Sequence, residues 1–312
     1  MSKVLITGGA GFIGGHISEL FVSKGHDVVV YDNFSTGREE NLESIRSQIQ
    51  IVKGDILDGA AMESALKGVD YVIHHAAEIA AIKSVEEPEL VNEINVAGTL
   101  KLLVMAEKCG VKRLIMASSS AVYGDTGNQP QKETFLPKPL SPYGASKICG
   151  EHYCNVFNLT YNIEAVCLRY FNVYGQRQNP KSQYAAVIPK FIGMLMAGQG
   201  LHIYGDGEQT RDFVNVKDVA RANYEACFNE NAAGDVFNIA GGRSVSVNEL
   251  AEMLKSLTKA DAAVIHDPAR AGEIKYSISD TTKAAEILGF HPEVTLEQGL
   301  DDLVEWFRLH RS

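Results

Sequence analysis

Apolar positions in the first 170 residues of this 312-residue chain follow two alternating patterns. Short, near-continuous apolar runs recur at 3–7, 27–31, near 49–53, and at 70–74, 112–118 and 163–169. Between them the apolar residues repeat every three or four positions, as in Phe12, Ile13, Ile17, Leu20 and Phe21 within 12–24. The same period marks 59–67, 88–109 and 142–160. Strands that are apolar throughout, separated by helical stretches, predict right-handed βαβ units. They predict an α/β fold: a doubly wound parallel sheet covered by helices on both faces.

After residue 170 the alternation fails. Loops rich in Gly, Asn, Gln and Pro surround a helix at about 185–197. Strands are expected at 201–204, 213–216 and 235–239, with a helix at 217–230 between the last two. Ser246 with Glu249 reads as a capping box, and Asp280 and Thr295 as N-caps of the last two helices. With no repeat or linker, the expected division is a nucleotide-binding domain of 1–170 plus 213–240. A smaller C-terminal α/β lobe of 171–212 plus 241–312 would take the substrate.

Composition narrows the function classes. The chain is 45% hydrophobic and 22% charged, as in soluble globular proteins. A net charge of −10 gives no basic face for nucleic acid or an anionic membrane. Cys109, Cys149, Cys154, Cys167 and Cys227 show no CxxC or metal-like spacing, so reduced thiols and no metal are expected. "MSKVLITGGAGFIGG" is too short and Gly-rich for a signal peptide, and no run of about 18 apolar residues follows. A cytoplasmic protein is expected.

Glycines 8, 9, 11 and 14 stand between the first strand and the first helix. Gly9-x-Gly11-x-x-Gly14 meets the dinucleotide fingerprint, and Gly8-x-x-Gly11-x-x-Gly14 overlies it. Alone the pattern also fits a turn that binds nothing. The strand before it, the helix after it and Asp32 at the end of the second strand point to a Rossmann-type site. A carboxylate there accepts from both ribose hydroxyls and repels a 2′-phosphate, so NAD is expected over NADP. Asp55 in "GDILD" is either an adenine-edge contact or a helix cap.

Ser118, Ser119 and Ser120 end the strand at 112–118, where open α/β sheets bind ligands. They read equally as a loop held by hydroxyl–backbone bonds. Tyr143 and Lys147 are four apart at the start of a helix and therefore share a face. That is either a solvated surface or a phenol and an amine placed to move a proton. A phenol acting as base near neutral pH must be shifted down by roughly 3 units.

In one order the chain carries TGGAGFIG, Asp32-Asn33-Phe34, Asp55, HHAA (74–77), Asn95, SSSAVYG, Tyr143-x-x-x-Lys147 and RYFNVYG (169–175). Over nearly its whole length it resembles the extended short-chain dehydrogenase/reductases. Within them it resembles the NAD-dependent nucleotide-sugar epimerases acting on UDP-glucose or UDP-N-acetylglucosamine. The resemblance implies that Tyr143 takes the proton of the sugar 4-hydroxyl while C4 gives hydride to NAD. Lys147 would hold the nicotinamide ribose and depress the Tyr143 pKa. Ser119 would bond the 4-oxygen, with Ser118 and Ser120 as alternatives. The 4-keto sugar would turn over and take hydride back on its other face. The resemblance also places Gly8, Gly11, Phe12, Ile13, Gly14, Asp32, Asn33, Ser35, Thr36, Gly37, Asp55 and Ile56 around NAD. His75, Ala76, Ala77, Asn95, Ser118, Tyr143, Lys147 and Tyr170 complete that set. It implies a homodimer through helices around 88–109 and 144–160.

For the substrate it implies Glu78, Ser119, Ser120, Tyr143, Asn172, Ala185, Ala186, Val187, Tyr204, Arg211, Arg270, Glu273 and Ser277. Arg211 and Arg270 would grip the diphosphate, Glu273 the uridine ribose, and YAAVIPKF (184–191) the uracil. Ser277, where enzymes restricted to UDP-glucose tend to carry Tyr, leaves room for an N-acetyl group and favours UDP-GlcNAc. "EIAAIKS" (78–84), expected to face the hexose, departs from the pattern of either subgroup. Related dehydratases carry Asp-Glu directly after the catalytic hydroxyl; Ser120 and Ala121 stand here, which disfavours dehydration. The alternatives are a UDP-glucose 4-epimerase, a UDP-glucuronate epimerase or decarboxylase and, in a different class, an NAD-sensing regulatory protein. That last protein would need the glycines and Asp32 but not Tyr143, Lys147 or the serine.

Overall fold

A computed structural model describes residues 1–178, 186–269 and 274–310. In chain order the first part reads β1 (Lys3–Thr7), α1 (Phe12–Ser23), β2 (Asp27–Asp32), β3 (Ile49–Lys53), α2 (Gly59–Ala65) and β4 (Tyr71–His74). Then come α3 (Ala81–Glu86), α4 (Pro88–Asn92), α5 (Gly98–Lys108), β5 (Arg113–Ser119), α6 (Pro142–Thr160) and β6 (Glu164–Tyr170). The second part holds β7 (Asn172–Tyr174), α7 (Val187–Met196), β8 (Leu201–Tyr204), β9 (Thr210–Asn215) and α8 (Val216–Phe228). It ends with β10 (Val236–Ile239), β11 (Ser244–Ser246), α9 (Val247–Thr258), β12 (Val264–Asp267) and α10 (Leu296–Leu309).

Seven strands form one parallel sheet in the order β3-β2-β1-β4-β5-β6-β10. The chain order reverses between β1 and β4, the switch point beyond whose strand ends open α/β sheets bind ligands. Alternate residues feed two cores. Val4, Ile6, Val28 and Val30 pack on Ile17 and Phe21 of α1 and Val219 of α8. Leu5, Val29, Val72 and Leu114 pack on Leu102 and Leu103 of α5 and on Cys154 and Phe157 of α6. Burial on both faces accounts for the unbroken apolar runs.

The second lobe has its own core, in which Phe191, Ile192, Leu250, Leu254, Leu300 and Leu303 join α7, α9 and α10. Its small sheet pairs β9 with β7 in parallel and with β11 antiparallel. β12 runs parallel to β8. β9 lies wholly in this sheet, so the chain returns to the large one at α8 rather than at residue 213.

Two elements differ from expectation. The stretch 88–109 is not one helix: α4 and α5 are joined by a π-turn, Glu93–Ala97. Ser246 accepts from the Glu249 N–H at 3.0 Å, but the Glu249 carboxylate goes to Arg243, so this box is half made. The reciprocal box forms instead at Thr295 and Gln298. Among the described residues no helix is long and apolar enough to cross a membrane.

Candidate active site

The loop from β1 to α1 is folded onto its neighbours. Gly8 has φ +65°, and a Cβ there would meet the Ala76 nitrogen at 2.8 Å. A Cβ at Gly14 would meet Gly9 Cα at 2.8 Å, so the helix packs directly on the loop. Gly11 is the N-cap of α1, with no side-chain cap and no acidic residue in the first turn. The first-turn N–H groups of Phe12 and Ile13 therefore face the switch point with the positive end of the helix dipole.

Asp32 Oδ2 accepts from Ala10 N at 2.9 Å and Oδ1 from Phe34 N at 2.8 Å. Its remaining lone pairs look over Gly37, where a Cβ would stand 2.9 Å from both oxygens. A cradle of glycines below a fixed carboxylate fits an adenosine ribose and its pyrophosphate. Asp55 accepts from Asn33 Nδ2 at 2.9 Å and, in a local turn, from Leu57 N at 2.9 Å; the cap of α2 is Asp58, not Asp55. Asn33 also accepts from Ser35 N at 3.0 Å, which shapes the Ser35–Thr36–Gly37 turn. Ile56 is buried behind it.

Three residues outside the expected set hold this end. Thr7 accepts from the N–H groups of His75 and Ala76, both at 3.2 Å, and bonds His74 Nδ1 at 2.8 Å. His74 Nε2 meets Thr99 Oγ1 at 2.9 Å, and Thr99 donates to the Asn95 carbonyl at 2.6 Å. With that hydroxyl proton committed, Nε2 must be the donor and Nδ1 the acceptor. Burial, reinforced by the Lys147 charge, lowers the His74 pKa to about 3 and keeps the ring neutral. His75, lowered to about 4 by burial, stacks on Tyr170 with ring centres 5.6 Å apart. The Tyr170 hydroxyl bonds Asn223 at 3.0 Å. Both N–H groups of Asn95 are used by the chain, one on the Glu78 carbonyl and one on Ser146 Oγ, each at 2.9 Å.

The side chains expected to be catalytic meet where β5 ends and α6 begins. Ser141 caps α6 through Gly144 N at 3.2 Å and Pro142 follows at the first position, so the helix starts just before Tyr143. Lys147 is only 6% exposed and donates to the Ala117 carbonyl at 2.9 Å. Its nitrogen lies 5.7 Å from the Tyr143 ring centre. Burial lowers its pKa to about 8, opposed by Cys167 and Glu151, so it is mostly charged at neutral pH. Burial pushes the Tyr143 phenol up, and a hydrogen bond with Ser119 pulls it back. The depression expected from Lys147 is thus not delivered by the chain's own groups. Ser118 points the other way, donating to Glu151 at 2.5 Å, and Ser120 opens a 3₁₀ turn. Of the three serines, Ser119 is the one whose hydroxyl acts on the phenol, lowering its pKa against the burial that raises it.

These elements match a profile of the NAD dependent epimerase/dehydratase family over residues 4–240. The chain belongs to that family. It is accordingly an enzyme with NAD as its cofactor. A putative UDP-glucose 4-epimerase of Methanocaldococcus jannaschii is 42% identical over 307 residues, 98% of each chain. The UDP-glucose 4-epimerase of Thermotoga maritima, solved with UDP-glucose, is 40% identical with a TM-score of 0.94. That match covers 99% of this chain and 100% of the other. The UDP-N-acetylglucosamine 4-epimerase of Methanobrevibacter ruminantium M1, in complex with UDP-N-acetylmuramic acid, is also 40% identical with a TM-score of 0.94. The match covers 99% of this chain and 98% of that one.

On the second lobe's side of this family fold, Asn172 Nδ2 donates to the Asp212 carbonyl at 3.0 Å. Arg211 Nη1 is tied to the carbonyls of Thr210 at 2.8 Å and Ile274 at 2.9 Å. Ala186 is the N-cap of α7 and Val187 its first residue, with no side-chain cap. Tyr204 ends β8, its ring 5.9 Å from Lys190 Nζ. Ser277 is buried, and its carbonyl accepts from Ser244 at 2.8 Å. Glu78 pairs with Lys83 at 2.7 Å and accepts from Ala80 N at 3.2 Å. Ala185, Arg270 and Glu273 lie outside the described residues.

Proposed function

We propose that this enzyme interconverts UDP-hexoses at C4, with UDP-GlcNAc and UDP-GalNAc as the preferred pair and UDP-Glc and UDP-Gal also accepted. The supporting observation is the meeting of the Tyr143 phenol, the Ser119 hydroxyl and the Lys147 ammonium at the C-terminal edge of the sheet, beside the glycine loop. Bound NAD would supply the acceptor for the C4 hydrogen and a positive ring beside the phenol. Tyr143 takes the proton of the 4-hydroxyl and later returns it. Ser119 donates to the same oxygen, and the Lys147 charge together with the positive nicotinamide ring of bound NAD would favour the phenolate. The second lobe holds the UDP portion while the 4-keto sugar turns over.

Solved relatives named for each sugar stand at the same 40% identity and TM-score of 0.94, so structural similarity does not choose between them. The choice rests on Ser277, whose small side chain leaves volume beside the C2 substituent. Added room admits the N-acetyl group without rejecting the smaller sugar. Ser120 and Ala121 offer no acid or base for dehydration. Exposed Val104 on α5 and Val156 and Leu159 on α6 support a homodimer through these helices.

Separate incubations with UDP-GlcNAc, UDP-Glc and UDP-GlcA, with products resolved from substrates, test the reading. Formation of UDP-GalNAc supports it. Turnover of UDP-Glc alone reduces it to a UDP-glucose epimerase, and turnover of UDP-GlcA alone overturns it.

A further inference from the structure

Three consecutive residues at the end of β5 engage three residues spaced by four on α6. The Ala117 carbonyl accepts from Lys147 at 2.9 Å, Ser118 donates to Glu151 at 2.5 Å, and the Ser119 hydroxyl neighbours the Tyr143 phenol and lowers its pKa. That spacing sets Tyr143, Lys147 and Glu151 on one helix face. Glu151 reaches further than the other two. Its Oε1 also accepts from Arg169 Nε at 2.9 Å, and its Oε2 from Arg169 Nη2 at 2.6 Å. Arg169 stands on β6 directly across from Ser118 in the β5–β6 register. One carboxylate therefore ties α6 to two adjacent strands beneath the catalytic side chains.

Glu151 is 5% exposed, Arg169 4% and Ser118 3%. A buried ion pair adds little net stability over apolar packing, because desolvation offsets its attraction; its attested use is to fix register. The groups facing Lys147 from other elements are Cys167 on β6 and His74 and His75 at the end of β4. Both histidines and the thiol are held neutral by burial and by their neighbours. The Glu151–Arg169 pair is then the fixed charge behind the site.

We propose that Glu151 is a positioning residue for the reaction. Paired with Arg169 and bonded by Ser118, it fixes where α6 stands along β5 and so holds the Tyr143 phenol against Ser119. Its kinetic readout rests on the epimerase reading above.

The test compares NAD-loaded wild type with Ser118→Ala, Glu151→Gln and the double variant. Both singles are expected to lower kcat about 10- to 100-fold per NAD-bound molecule, with KM for the UDP-sugar changed by no more than about twofold. The double variant is expected to be no slower than the slower single, because both break one device. In Ser118→Ala the acid limb of kcat moves to higher pH, since a displaced α6 takes the phenol away from the Ser119 hydroxyl that lowers its pKa. A lower melting temperature with unchanged kcat, or losses that multiply, overturns the proposal. If Glu151→Gln does not fold, Ser118→Ala decides: unchanged kcat overturns it. If wild type turns over no UDP-sugar, the epimerase reading fails and the ultraviolet titration of the Tyr143 phenol, identified against Tyr143→Phe, takes over. An upward shift in Ser118→Ala supports positioning, and an unchanged titration overturns it.

Discussion

The side-chain amide of Asn95 clamps the backbone of Glu78, donating to its carbonyl at 2.9 Å and accepting from its N–H at 2.8 Å. The second N–H of the amide goes to Ser146, whose hydroxyl bonds the Tyr143 carbonyl at 2.8 Å. One buried amide therefore links the 78–84 loop to the start of α6. Replacing Asn95 by Ala leaves two backbone groups of Glu78 without this partner, a cost of about 1–3 kcal/mol. Asn95→Ala should lower kcat/KM for the UDP-sugar roughly 10- to 100-fold and lower the melting temperature. Kinetics and thermal melting check this; wild-type values for both contradict it.

Acid should destabilise the enzyme between pH 6.5 and 4. Burial is the main cause holding His16 near 4, His74 near 3 and His75 near 4, against an ordinary 6.5. The unfolded chain binds protons below 6.5 that the folded one refuses, so stability present at pH 7 is lost as pH falls through this window. Asp212 acts oppositely: burial lifts it from 3.8 to about 6, so its contribution is greatest below 3.8 and is lost as pH rises through 6. Each histidine carries roughly 3–5 kcal/mol on this scale and Asp212 about 3, so the histidines prevail. Denaturant midpoints should fall on acidification, and less steeply in His74→Gln. A flat or rising profile contradicts this.

Much of the fold and the catalytic end was legible in the chain because it depends on local spacing. Apolar runs gave the parallel strands, glycines the loop at Gly8–Gly14, and Pro142 the start of α6. The π-turn was not legible, because the apolar period runs unbroken through 88–109 and the bulge sits where Thr99, bonded to the distant His74, donates to the Asn95 carbonyl. The direction of Ser118 was hidden for a similar reason. Its partner Glu151 lies 33 residues away and is brought close only by packing of α6 on β5. The tie of Arg211 to Ile274 likewise spans 63 residues.

Ser277→Tyr should suppress UDP-GlcNAc turnover selectively. A phenol ring in the volume beside C2 clashes with the acetamido group and leaves the hydroxyl of UDP-Glc room. The ratio of kcat/KM values for UDP-GlcNAc over UDP-Glc should fall by at least about tenfold. Equal losses on both sugars contradict the pocket assignment.

Val156 and Leu159 are 46% and 74% exposed on α6, near exposed Tyr161 at its end. If the proposed dimer forms through this face, placing a charge there, as in Leu159→Glu, should convert it to monomer in light scattering while NAD content is retained. A wild-type mass for the variant, or a monomeric wild type, contradicts an interface on this face.

In the proposed reaction the Tyr143 oxygen moves the proton of the sugar 4-hydroxyl. The most direct test of this step is the epimerisation rate of NAD-loaded Tyr143→Phe, which keeps the ring and removes only that oxygen. The account predicts a loss of at least about 10²- to 10⁴-fold in kcat with NAD content unchanged. A variant that epimerises at the wild-type rate would contradict it.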